Sequence, residues 1–328
     1  MEAFMFDVTA LGELLIDFTP YGISDNGNPI YERNPGGAPA NVLAVLTRLG
    51  ARSSFIGKVG NDQFGSFLRE CLVKNQIDIT GLKTSDTVNT TLAFVHLNHA
   101  GDRSFSFYRN PGADMMLNEN DIPADVIAGS RIFHFGSISM TDEPSRCATI
   151  KALNTARDHG LIISYDPNLR PPLWKSLNDA ERGIRIGLEY ADVLKISEEE
   201  LEFITKERDL EKGTKILADM GIGMIFVTLG PKGTFYRHHA DTGILNTYAV
   251  EVVDTTGAGD AFLGAILYKL KDINRRELES LKKDEIESMV DFANATGALT
   301  TAKKGAIPAI PDMDAIIGCI RNTPKLVL

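Results

Sequence analysis

Apolar residues along this chain fall into two kinds of run. Short, almost wholly apolar stretches cover residues 53–58, 131–135, 161–166, 192–196 and 224–229. They are too brief for helices and read as strands buried on both faces. Between them lie helical patterns, among them 38–49, closed by Gly50, and 143–159, closed by Gly160; a glycine just past the last periodic residue is the usual left-handed stop. Strands alternating with helices predict a parallel sheet with crossover helices, an α/β fold. Two stretches break the rhythm. Residues 6–19 form one long strand-like segment that runs past Asp17 into a polar excursion ending near Arg33, and 90–97 with 103–109 flank the turn Asn98-His99-Ala100-Gly101-Asp102. The second pair reads as a β-hairpin with a longer loop. Antiparallel pieces inserted in a parallel chain predict a small separate sheet, a lid over one edge, since active sites of open α/β sheets lie outside the carboxyl ends of the strands. No repeat, low-complexity tract or linker divides the chain, so the expectation is one domain over 1–328 with lid segments at about 15–33 and 90–110.

Composition narrows the function classes. Lys plus Arg is 34 and Asp plus Glu is 44, a net charge of −10 over 328 residues. A basic stripe for nucleic acid or anionic lipid is therefore not expected, and any phosphate site must be local. Cys71, Cys147 and Cys319 show neither a CxxC spacing nor an even count, which suits a reducing, cytoplasmic setting. No apolar run reaches the roughly 20 residues of a membrane span. The sequons at Asn89 and Asn294 are read as coincidences. His96, His99, His134, His159, His238 and His239 show no HExxH or HxxxH spacing, so a catalytic zinc is not expected.

The densest chemical signal is Asp254-Thr255-Thr256-Gly257-Ala258-Gly259-Asp260-Ala261-Phe262, followed by the apolar helical run 263–270. Small residues before a helix let the backbone approach a ligand, and the free N–H groups at a helix start attract anions. Asp260 falls in the first turn. A carboxylate beside a phosphate makes sense as the base that takes a proton from the attacking nucleophile; complementing the helix dipole is the plainer alternative. Neither GxxxxGK[ST] nor GxGxxG is present, because Phe262 stands where the third glycine would be.

This stretch resembles the C-terminal signature of the ribokinase-like, or PfkB, carbohydrate kinases, and Asn34-Pro35-Gly36-Gly37-Ala38-Pro39-Ala40-Asn41 resembles their N-terminal one. The likeness runs from about residue 6 to 311. Within the family, residues 105–117 and 166–176 are most similar to fructokinases. The resemblance implies a three-layer α/β/α, Rossmann-like core with a small β-sheet lid, and transfer of the ATP γ-phosphate to the 6-hydroxyl of D-fructose with Mg²⁺. It implies that Asp260 is the base and that the amides of Gly257, Ala258 and Gly259 stabilise the transferring group. Neighbouring readings remain: 2-keto-3-deoxygluconate kinase or another PfkB sugar kinase, and a non-catalytic sugar or nucleotide sensor.

Further residues carry over one at a time. Thr228, Gly230 and Gly233 resemble the strand end and loop lining the nucleotide site, although alone they would be a Gly-Pro turn. Asn294 and Gly297 lie where the family's penultimate helix passes the adenine; a surface amide is the alternative for Asn294. Ser197-Glu198-Glu199-Glu200 stands in place of Asn-x-x-Glu, so Glu200 is implied in water-mediated placement of Mg²⁺ and phosphate, and Lys195 offers a compensating cation or snorkels. Asp254 and Thr256, with carbonyls near Thr300, Lys303 and Gly305, match a potassium site, whose ligands would be hard oxygens. For the sugar, the resemblance implies Asp17, Asn41 and the close backbone of Gly36 and Gly37, with Arg109 and Arg170 reaching sugar or phosphate. Two arginines also suit a carboxylate substrate. Leu15, where ribokinases carry Asn, counts against ribose. Trp174 is expected to pack. The resemblance further implies a homodimer through the lid.

Overall fold

Neighbouring residues of the central strands are both apolar, as a sheet covered on two faces demands. Ile132 and Phe133, Ile162 and Ile163, and Val193 and Leu194 each split between two buried clusters. The structure, a computed structural model, describes residues 4–97 and 103–327; His99 and the turn 98–102 lie outside the described residues. Its strands are β1 Phe6–Leu11, β2 Leu15–Ile23, β3 Pro29–Gly36, β4 Ser53–Gly60, β5 Ile77–Ser85, β6 Leu92–Leu97, β7 Arg103–Tyr108, β8 Ser130–Gly136, β9 Ile162–Asp166, β10 Val193–Ser197, β11 Met224–Thr228, β12 Thr234–His238 and β13 Asp241–Leu245.

The main sheet runs β13-β12-β11-β10-β9-β8-β1-β4-β5. It is parallel from β5 to β11, and β12 and β13 form an antiparallel hairpin on one edge. One cluster packs helices Ala38–Arg48, Ala258–Leu270 and Lys283–Thr301 on one face, and the other packs Ser145–Asp158 and Leu177–Leu188 opposite. This is the expected three-layer α/β/α core. Strand order reverses between β1 and β8, and the crevice at such a reversal is where open α/β sheets bind ligands.

The second sheet, β3-β2-β6-β7, is the expected lid. Two details differ from the sequence reading. Residues 6–19 are two strands in two sheets, because the chain leaves the core after Leu11. Gly12 gives the last main-sheet bond, to the Ile56 carbonyl at 3.1 Å, and the helix Ala38–Arg48 presses so close that a Cβ on Gly12 would lie 2.6 Å from Pro39. The lid is also not wholly antiparallel, since β2 pairs with β6 in parallel, Asp17 beside Ala93 and Phe18 beside Phe94. Phe94 stacks on Phe18 and meets Tyr31 and Tyr108 edge-on, so one lid face is aromatic. By strand alternation Asp17 belongs to the other face.

Candidate active site

Gly257 caps the helix Ala258–Leu270 in the left-handed conformation, φ 77°. A Cβ there would meet that of Ala306 at 2.6 Å, and one on Gly259 would lie 2.9 Å from Lys195 Nζ. Both glycines therefore serve close approach, one of backbone to backbone and the other of a helix start to a buried cation. Asp254 fastens the loop from below: its carboxylate accepts from Thr256 N and Oγ1 and, through the other oxygen, from Gly305 N at 2.9 Å. The donors of this helix start are thus aimed before any ligand arrives.

Asp260, on the first turn, accepts a hydrogen bond from Asn41 Nδ2 at 2.8 Å across 219 residues of chain. That one bond joins the two glycine-rich stretches of the sequence. Asn41 Oδ1 is buried without a partner, an acceptor of the kind a ligand hydroxyl would satisfy. Burial lifts the Asp260 carboxyl above the ordinary range, against the pull of Lys195, Asn41 and Arg170. Lys195 donates to Asp166 at 2.9 Å and is 7% exposed, so it does not snorkel. Burial opposes its charge, but Asp166, Glu200 and Asp260 outweigh that and hold it protonated.

Across the crevice, Asp17 on β2 has its carboxyl raised to about 6 by burial; Arg170 lowers it and Asp260 raises it. The lid carboxyl and the core carboxyl are thus near enough to repel each other. Gly36 sits against Asp17 so closely that a Cβ would lie 2.1 Å from Oδ2. Gly37, φ 121°, starts the helix that carries Asn41. Arg170 follows the turn after β9, makes no ion pair among the described residues, and acts on Asp17, Asp166 and Asp260. The same turn is held by Glu200, whose carboxylate accepts from Leu169 N at 2.6 Å and from Ser197 N at 2.8 Å. Ser197 itself caps the following helix.

Several expected roles move. Arg109 does not reach into the cleft: its side chain is 3% exposed, and it donates to Asp114 at 2.7 Å, to Thr141 at 2.9 Å and to the Ile138 carbonyl at 3.2 Å. Asn294 is not a surface amide. It is 4% exposed, accepts from Thr234 Oγ1 at 2.7 Å and donates to the Leu245 carbonyl at 3.0 Å. Gly233, φ 93°, closes the turn between β11 and β12, where a Cβ would strike the Leu245 carbonyl at 2.0 Å. Gly230, φ 57°, belongs to the same turn, and Thr228 donates to the Ile196 carbonyl. Thr228 thus lies beside Ser197, at the carboxyl end of β10. Trp174 packs with Met140 and Ala180. Among the described residues no group of three or more His, Cys, Asp and Glu could hold a metal, so a divalent ion would need ligand phosphates and water to complete its shell. Sequence reading missed Glu13, 2% exposed, whose Oε1 accepts from Ala38 N at 2.9 Å; in sequence it is an acid in an apolar strand pattern, with nothing to mark its partner.

Against known proteins, the model described as "pfkB family carbohydrate kinase" matches residues 5–313. The chain is 43% identical over 315 residues to probable fructokinase-3 of Arabidopsis thaliana, covering 94% of this chain and 90% of the relative. It is 42% identical over 309 residues to fructokinase-2 of Solanum lycopersicum, covering 93% of each. Fructokinase from Xylella fastidiosa with bound ATP superimposes with a TM-score of 0.89 at 31% identity, over 97% of this chain and 99% of that one. Fructokinase from Vibrio cholerae in its fructose, ADP and calcium ion bound form gives 0.86 at 37%, over 95% and 98%.

Proposed function

The chain belongs to the pfkB family of carbohydrate kinases, and from that premise we infer that it is a fructokinase moving the ATP γ-phosphate to the 6-hydroxyl of D-fructose. The bond between Asn41 and Asp260 carries the reading, because it sets the proton acceptor between the helix-start cradle and the cleft that Asp17 faces. Asp17 accepts from sugar hydroxyls, Asn41 Oδ1 takes another, and Gly36 and Gly37 let the ring approach the backbone. Asp260 takes the proton of the 6-hydroxyl as its oxygen bonds to the γ-phosphorus and the bond to the ADP oxygen breaks. The amides of Gly257, Ala258 and Gly259, with Lys195 and Arg170 nearby, stabilise the charge gathering on the phosphoryl oxygens. Thr228, Gly230 and Gly233 border the nucleotide through backbone and shape.

Mg²⁺ arriving with the nucleotide would neutralise phosphate charge. Glu200 keeps lone pairs beyond its two backbone bonds and suits a water-mediated contact. Asp254, Thr256 and the neighbouring carbonyls form an all-oxygen set of the kind potassium takes. The state of Arg109 favours a neutral ketose over 2-keto-3-deoxygluconate: with its guanidinium held by Asp114, Arg170 alone remains for a carboxylate, and the bidentate two-arginine site a keto acid would draw is not built. A coupled ADP-release assay with fructose, 2-keto-3-deoxygluconate, ribose and adenosine side by side tests this. Fructose should give the highest kcat/KM; preference for the keto acid would move the assignment, and absence of turnover on every sugar would leave a sensor.

The three free cysteines fit a reducing, cytoplasmic setting, and no described helix is long and apolar enough to cross a membrane. Tyr21, Ile23, Ile30 and Tyr108 are exposed on the lid, which suits pairing with a second copy of this chain. A monomer by light scattering would remove that pairing.

A further inference from the structure

The lid joins the core at four points. Glu13 lies just before β2, Ala38 just after β3, Thr91 just before β6 and Arg109 just after β7. Buried polar bonds tie these points together. Glu13 accepts from Ala38 N at 2.9 Å, linking the first two. Thr91 Oγ1 donates to Asp114, which accepts Arg109 Nε at 2.7 Å, linking the second two. The halves meet where Ile16 N donates to the Thr91 carbonyl at 3.1 Å. Arg109 then reaches down to Thr141 and the Ile138 carbonyl, which follow β8 at the crevice of the main sheet. Gly112 completes the fit, since a Cβ there would lie 1.8 Å from Thr91 Oγ1 and 2.7 Å from Asp114 Oδ1.

We propose that Arg109 and Asp114 are positioning residues, a buried clasp that fixes the lid over the sugar cleft without touching the sugar. An exposed ion pair would hold little, whereas a buried one resists opening because each partner strands the other's charge. The clasp matters to catalysis because the two carboxylates of the cleft stand on different bodies. Asp17 rides on the lid, one residue beyond the Ile16 anchor, and Asp260 stands on the core. A tilt of the lid changes their separation, so that a sugar held by Asp17 no longer fits the core side of the cleft and binds less tightly.

The kinetic arm of the test rests on the ketose reading, and the exchange arm does not. In the full chain, Asp114→Asn should raise the fructose KM roughly tenfold, the scale of one charged hydrogen bond, and leave the ATP KM within about twofold. Thr91→Val should shift the fructose KM the same way by less, and Arg109→Lys should fall between wild type and Arg109→Met. Hydrogen exchange should quicken in β6 and β7 while β9 and β10 stay protected. Unchanged fructose KM, with kcat falling only as the folded fraction falls, would overturn the clasp. Exchange rising equally in lid and main sheet would overturn it too, as the sign of general destabilisation. Should wild type fail to use fructose, the substrate reading falls, and selective exchange in the lid still decides for or against the clasp.

Discussion

The phosphate cradle and the foot of the lid both hold a buried cation paired with an aspartate, yet they use it in opposite ways. At the cradle, Lys195 bonds to Asp166 and still lies against Gly259, under the pull of Glu200 and Asp260. At the lid foot, Arg109 is divided among Asp114, Thr141 and the Ile138 carbonyl. The first pair sits against the helix start where we propose that phosphate binds, and the second joins two parts of the fold. A buried arginine near a cleft is thus evidence of binding only after its donors have been accounted for.

Substitutions at the two sites should have effects that differ in kind. Changes at the cradle should lower kcat, and changes at the lid foot should weaken sugar binding or alter stability. The largest effect belongs to Asp260→Asn, which keeps the shape and the fold but cannot take a proton; kcat should fall about 10²–10⁴-fold with sugar binding retained by calorimetry. Activity within a few-fold of wild type would reduce Asp260 to a helix-capping acid. Next comes Gly257→Val. A side chain at φ 77° and against Ala306 distorts the helix start, so turnover with ATP should drop by about 10²-fold or more, the scale of losing an oxyanion donor. Unchanged ATP kinetics would take the cradle out of the mechanism.

The smallest effect lies at the lid foot and concerns stability. Burial pushes the Glu13 carboxyl from an ordinary value of 4.5 to about 7, with Asp114 adding to the shift and the Ala38 amide and Arg109 opposing it. An acid raised in the folded state is most stabilising while protonated. Its contribution is full below the unfolded value and is lost as pH climbs from about 4.5 toward 7. Glu13→Gln, fixed in the neutral form, should therefore flatten the fall in Tm across that range by about 2–4 °C. An identical pH profile in the variant would show that Glu13 titrates normally.

What could be read beforehand follows the same division. The helix start at Gly257 was legible because its residues are consecutive: Gly257, Gly259 and Asp260 stand at a helix start that local sequence alone announces. The main-sheet strands were legible because burial on both faces leaves continuous apolar runs. The break between β1 and β2 was hidden because the chain stays extended on both sides, with only Gly12 to mark the turn. Arg109 was misread because its partner, Asp114, is five residues away in a short 3₁₀ turn, and no helical or strand period makes the two neighbours. The partners of Asn294, Thr234 and the Leu245 carbonyl, could not be read because they come from another layer of the fold. Long-range polar pairs of this sort carry no period.

Whether Asp260 serves the 6-hydroxyl of a neutral ketose is decided by the identity of the product made from fructose and ATP, followed by ¹³C and ³¹P NMR. Phosphorus coupling is expected at C6 in wild type, with none of that product in Asp260→Asn over the same interval. Phosphorus at C1, or a product formed equally well by the variant, would contradict it.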